Sequence, residues 1–89
     1  MKKYVHHIDS GHGWLEVPYR ELRIAGLDMA QISSFSYAHV NDQYVPTLYL
    51  EEDCDMPLFL NALNASGVKF ELVEKHHDGD AFIRGLGRV

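Results

Sequence analysis

With 89 residues the chain has room for one domain (1–89) and a modest core, and its 46% hydrophobic and 24% charged fractions are those of a folded globular protein. Its apolar runs are too short to span a bilayer, and residues 1–10, MKKYVHHIDS, lack the apolar stretch and cleavage site of a secretory signal, which points to a cytoplasmic protein without membrane association. Net charge is −5, and its layout excludes more than its value does: between Ile24 and Val68 there is no Lys or Arg, while Asp28, Asp42, Glu51, Glu52, Asp53 and Asp55 all fall there. A phosphate backbone is held by Lys and Arg, so direct nucleic-acid binding is disfavoured.

In chain order, residues 3–8 and 14–17 are short runs rich in β-branched and aromatic side chains, separated by DSGHG (residues 9–13). Turn formers between two such runs predict a β-hairpin in which Gly11 and Gly13 supply positive φ and Asp9 and Ser10 bond turn amides. A dinucleotide-binding loop is excluded, because Glu16 stands where its third glycine belongs and a strand follows where it needs a helix. Pro18 opens a short helix over 18–25, which Gly26 closes as a left-handed cap with Leu27 folding back on Leu22. Residues 28–33 read as a turn or a single helical turn.

Residues 35–40 and 44–51 are predicted strands joined through Asn41, Asp42 and Gln43, with Phe35, Tyr37 and His39 on one face of the first. Pro46 has no N–H to donate, which predicts an edge or a bulge there. A second helix follows, with Asp55 as N-cap, Pro57 in the first turn, Met56, Phe59, Leu60 and Leu63 at helical spacing, and Gly67 past its end. Residues 68–75 form a further strand, and HHDGD (76–80) turns into a last short element over 81–86. The expected fold is α+β, an antiparallel sheet with two helices in the order ββαββαβ.

Six histidines invite a metal reading through His6, His7, His76 and His77. Adjacent strand residues point to opposite faces, so each His-His pair offers one ring to any common site, and no spacing typical of a structural or catalytic metal site is present. No other cofactor is called for. Cys54, the single cysteine, has no disulfide partner and sits among carboxylates that oppose its thiolate, so it reads as buried and inert. The Asn64-Ala65-Ser66 sequon has no secretory route to give it meaning.

Helix capping accounts for one or two acids of the run Glu51-Glu52-Asp53-Cys54-Asp55, and the surplus forms a negative patch. Trp14, Tyr37, Tyr44 and Tyr49 fall on strands, where ordinary core and cross-strand packing is one reading and exposure on a side of the sheet that the helices leave uncovered is the other. Together Glu51, Glu52, Asp53, Tyr37, Tyr49 and Trp14 make a candidate binding surface, since aromatic side chains concentrate at interface hot spots.

At GHGWLEVP (11–18), SSFSY (33–37) and YLEEDCD (49–55) the chain resembles a family of short proteins encoded on proteobacterial phages, plasmids and other mobile elements. The resemblance implies no catalytic residues. It implies an accessory protein of a mobile element, a setting in which small acidic proteins that block host-defence nucleases, as anti-CRISPR and antirestriction proteins do, are frequent. The expected function is therefore a non-enzymatic binding protein directed at a protein partner with a basic surface, with a metal-binding module or metal-assisted enzyme as the alternative.

Overall fold

The β-hairpin at the start of the chain pairs β1 (Lys2–Ile8) with β2 (Gly13–Pro18) in antiparallel register from Val5↔Glu16 to Ile8↔Gly13. The structure is a computed structural model, and it describes residues 1–40 and 45–89. In the turn, the Asp9 N–H donates to the His12 carbonyl at 2.9 Å, and Asp9 Oδ1 accepts the Gly11 and His12 amides. The expected positive φ at Gly11 and Gly13 is not what the turn uses: among the described glycines it is found at Gly26, Gly67 and Gly79. Gly13 is required for closeness instead, because a Cβ there would run into the Glu52 carboxylate and His6 Nε2.

Pro18 ends β2 and is the N-cap of α1 (Tyr19–Ile24), its φ of −59° already that of a helix. The helix closes as expected, with Gly26 at φ +88°, the Leu27 N–H bonded to the Leu22 carbonyl and the Gly26 N–H to that of Arg23. Residues 28–33 resolve into one 3-10 turn, Met29–Gln31, held by a reciprocal capping box between Asp28 and Gln31. Then come β3 (Tyr37–Val40), β4 (Pro46–Glu51) and α2 (Asp55–Ala65), the last closed by the same six-to-one bond, Val68 N–H to Leu63, around Gly67. The predicted turn at Asn41, Asp42 and Gln43, with Tyr44, lies outside the described residues.

The sheet order is β5-β1-β2-β4-β3-β6, with β5 (Phe70–His76) and β6 (Gly87–Arg88) at its ends. Two features depart from expectation. Strand β5 runs parallel to β1, from Lys2↔Phe70 to Ile8↔His76, in an otherwise antiparallel sheet, and β4 is interior rather than an edge. Pro46 is tolerated because it is the first residue of its strand, where a ladder donor is not needed.

Alternation along the strands sends Tyr4, Leu15, Val17, Leu48 and Leu50 to the face covered by α1 and α2, where they bury Leu22, Phe59 and Leu63. The Tyr4 ring meets Phe59 edge-on at 5.3 Å, and its hydroxyl donates to Glu21, which also holds Lys2 at 2.7 Å. Burial pushes the Tyr4 hydroxyl above its ordinary pKa, and the Lys2 ammonium holds Glu21 below the usual carboxylate value. On the opposite face, Trp14 and Tyr49 are covered by the C-terminal segment, which crosses the sheet as a 3-10 turn (Phe82–Gly85) and then β6, burying Ala81 and Ile83. No helix among the described residues is long and apolar enough to cross a membrane.

Candidate functional site

The crossing segment is fixed by Asp9, whose buried carboxylate receives Arg84 in a two-pronged contact: Nε to Oδ2 at 2.7 Å and Nη2 to Oδ1 at 3.0 Å. Oδ2 also accepts the Ala81 amide. With the Gly11 and His12 amides, Asp9 serves the hairpin turn and the C-terminal segment at once, and the Arg84 bonds above all hold its carboxyl far below the usual range. The same contact raises Arg84 and lays its guanidinium 5.4 Å from the Trp14 ring centre.

Beside this anchor is an open cleft of about 340 Å³ lined by His12, Trp14, Phe35, Tyr37, Glu51 and Asp53, with Cys54, Arg84 and Arg88 completing its wall. Register explains the grouping: Trp14 pairs with Glu51 across β2 and β4, and Tyr37 with Tyr49 across β4 and β3, so these side chains rise from one region of the sheet face. Phe35, just before β3, leaves 59% of its surface in solvent. Glu51 uses Oε2 to accept the Asp53 and Cys54 amides, and neither it nor Asp53 forms an ion pair among the described residues.

Of the six candidate binding residues, Trp14, Tyr37, Glu51 and Asp53 therefore meet in one cleft. The other two do not. Glu52 turns to the helix-covered face, 3.6 Å from His6 Nε2, and Tyr49 is buried beneath Phe82, which meets its ring edge-on at 5.5 Å. Of the two readings of the strand aromatics, packing holds for Trp14, 2% exposed, and Tyr49, 7%, because the C-terminal segment covers that face; Tyr37 is half-buried. Burial, with the Glu16 charge as a second cause, raises the Tyr49 hydroxyl.

The acids at the helix start divide their work differently from expectation. Asp55 is not the N-cap: it is the first helical residue, buried, and its carboxylate accepts the Ser33 amide, the Ser33 hydroxyl at 2.6 Å and the Ser36 hydroxyl. Ser36, fully buried, accepts the Glu51 amide in turn. The motifs SSFSY and YLEEDCD are thus two sides of one hydrogen-bonded joint, and orphan amides before α2 are met by Glu51. Cys54 is exposed rather than buried, while partial desolvation and the Glu51, Asp55 and Asp53 carboxylates push its thiol up, as its neighbours predict.

The histidines separate as strand alternation requires. His6 lies on the helix face, its buried Nε2 3.6 Å from Glu52 and without a hydrogen-bond partner among the described residues. His7, on the other face, is buried and bonded at both ring nitrogens, Nδ1 to His77 Nε2 at 2.9 Å and Nε2 to Glu16 at 2.8 Å. Phe82 meets both rings edge-on. His76 stays in solvent beside Glu74. His7 and His77 therefore meet, His6 and His76 join neither, and among the described residues no three His, Cys, Asp or Glu side chains are grouped to hold a metal ion.

Sequence reasoning did not place Arg84, Arg88, Phe35 and His12 in the cleft. Arg84 and Arg88 are the two basic residues that follow the HHDGD turn, four positions apart, and that isolated pair was the available signal. No family model, curated protein or solved structure matches the chain.

Proposed function

We propose that the chain is a non-enzymatic binding protein that offers this cleft to a basic surface of a protein partner. One observation carries the reading: among the described residues Glu51 and Asp53 have no ion-pair partner, in a concave site that they share with His12, Trp14, Tyr37, Cys54, Arg84, Arg88 and the exposed Phe35. Carboxylates beside the accessible rings of Phe35 and Tyr37 suit an incoming Lys or Arg, whose stem packs on those rings while its head meets the acids. The resemblance to mobile-element proteins supports a host-defence or nucleic-acid-processing complex as the partner, since such complexes carry basic channels that an acidic surface can occupy.

The test is affinity capture from a proteobacterial host lysate, followed by association kinetics of the purified pair at two salt concentrations. Asp53→Asn leaves the Glu51 bonds to the helix start intact and should change stability by less than about 0.5 kcal/mol. It should slow association and flatten the salt dependence, because exposed charges steer encounter and are screened over about 8 Å at physiological ionic strength. Identical rates and salt slopes for parent and variant would remove the acids from the binding mechanism.

A further inference from the structure

The cleft that suits a basic partner already holds a basic segment, the chain's own C-terminus, and its two arginines are held very unequally. Arg84 is locked by the buried Asp9 carboxylate. Arg88 has no carboxylate partner among the described residues: its guanidinium lies 5.2 Å from the Tyr37 ring centre, and Nη1 donates to the Ser34 carbonyl at 3.2 Å in an exposed contact. The strand that carries it, β6, is two residues long and pairs with Tyr37 and Ala38, with one further backbone bond from the Val89 N–H to the Ser36 carbonyl at 2.9 Å and the half-buried Val89 side chain against the helix-face core. Beyond its last rung the chain has turned away in the 3-10 turn Phe82–Gly85, so His39 and Val40 have no outer ladder partner among the described residues.

We infer that β6 is an exchangeable occupant, and that the site takes an extended, arginine-bearing segment of a partner protein which replaces Gly87–Arg88 along β3. This rests on the cleft reading above and makes it specific. An incoming strand in the same antiparallel register would set its arginine opposite Tyr37, on the ring and beside the Ser34 carbonyl, with Glu51 and Asp53 in the same cleft. Such a strand can continue past Ala38 to pair with His39 and Val40, rungs that β6 leaves unused, and this gives a partner an advantage over the tethered segment. Residues 81–85 stay in place throughout, because Arg84 and the Ala81 amide remain on Asp9. The exchange is thus confined to the last few residues and leaves Trp14 and Tyr49 covered.

The probe is an acetylated pentapeptide of the chain's own residues 85–89, GLGRV, titrated into the full-length protein and followed by amide chemical shifts. Arg88→Ala vacates the seat on Tyr37, and Arg88→Glu adds repulsion from Glu51 and Asp53, so peptide affinity should rise from parent to Arg88→Ala to Arg88→Glu, the last by at least tenfold. The largest shifts should fall at Tyr37 and Ala38, and a peptide with alanine in place of its arginine should lose the gain. Equal affinity for all three proteins, or shifts centred elsewhere, overturns the exchange. Adding Asp53→Asn to Arg88→Glu separates the two readings: weaker peptide binding supports the acidic cleft, and unchanged binding with the tenfold gain intact leaves strand exchange standing and removes the acids from it.

Discussion

On one face of the sheet Leu15, Val17, Leu48 and Leu50 meet two helices through many interchangeable apolar contacts; on the other Trp14 and Tyr49 meet a single crossing segment held by the exposed Arg84 on the buried Asp9 carboxylate, a histidine contact and a two-residue strand. Burial on the first face is non-directional and shared among some ten side chains, so no one contact decides whether the helices stay. Cover on the second depends on a few directional bonds that meet at the buried Asp9 carboxylate, so one substitution there removes several of them. The helix face therefore sets global stability, while the other face can open locally, and the candidate cleft lies on the face that opens.

That contrast breaks most decisively at Phe59. Phe59→Ala removes a fully buried ring from the centre of the helix face and should cost about 3–5 kcal/mol, lowering the denaturation midpoint of the whole chain without selective exposure of Trp14. If helical circular dichroism is lost well before Trp14 fluorescence shifts, the faces are not ordered as described.

Asp9→Ala should have a smaller and more local effect. We expect a melting temperature lower by about 10 °C, with faster amide exchange at Ala81 and Arg84 and unchanged exchange at Phe59 and Leu63. Uniform acceleration at all four amides would refute local opening. The same carboxylate sets an acid limb. Because Arg84 holds Asp9 far below the usual range, the unfolded chain takes up this proton first; the stabilisation is complete above about pH 4 and is lost as pH falls further. Unfolding midpoints at pH 5 and pH 3 should therefore differ more in the parent than in Asp9→Asn.

The smallest effect sharpens the comparison at its boundary. Gly13→Ala should cost about 1 kcal/mol, since the new methyl displaces the Glu52 carboxylate and the His6 ring, both movable side-chain ends. Most of that cost should vanish in a Glu52→Ala background, a coupling measurable by a double-mutant cycle. A cost unchanged by Glu52→Ala would return the requirement to backbone conformation.

What could be read from the sequence was local. The hairpin, both helices and the left-handed caps at Gly26 and Gly67 rest on signals within a few residues. Trp14, Tyr37, Glu51 and Asp53 could be chosen by residue type and alternation, and they share the cleft. Partners far apart in the chain were not legible. Asp9 and Arg84, and the two serines with Asp55, are joined only by the folded sheet, so Asp55 read as a helix cap and residues 81–86 as a mere ending. Without that segment in view, packing and exposure were both open for Trp14 and Tyr49.

The parallel pairing of β1 with β5 also bears on how the chain comes together in time. Every rung of that ladder joins residues nearly seventy positions apart, so a large loop must close before the contact contributes anything. During synthesis the hairpin of β1 and β2 emerges early, and the outer edge of β1, with Lys2 and Lys3 at its start, waits for Phe70–His76. Folding is thereby placed toward the millisecond-to-second end of the range for small domains rather than the microsecond end. Through that wait the unfilled edge is where a nascent chain is most open to pairing with another copy of itself.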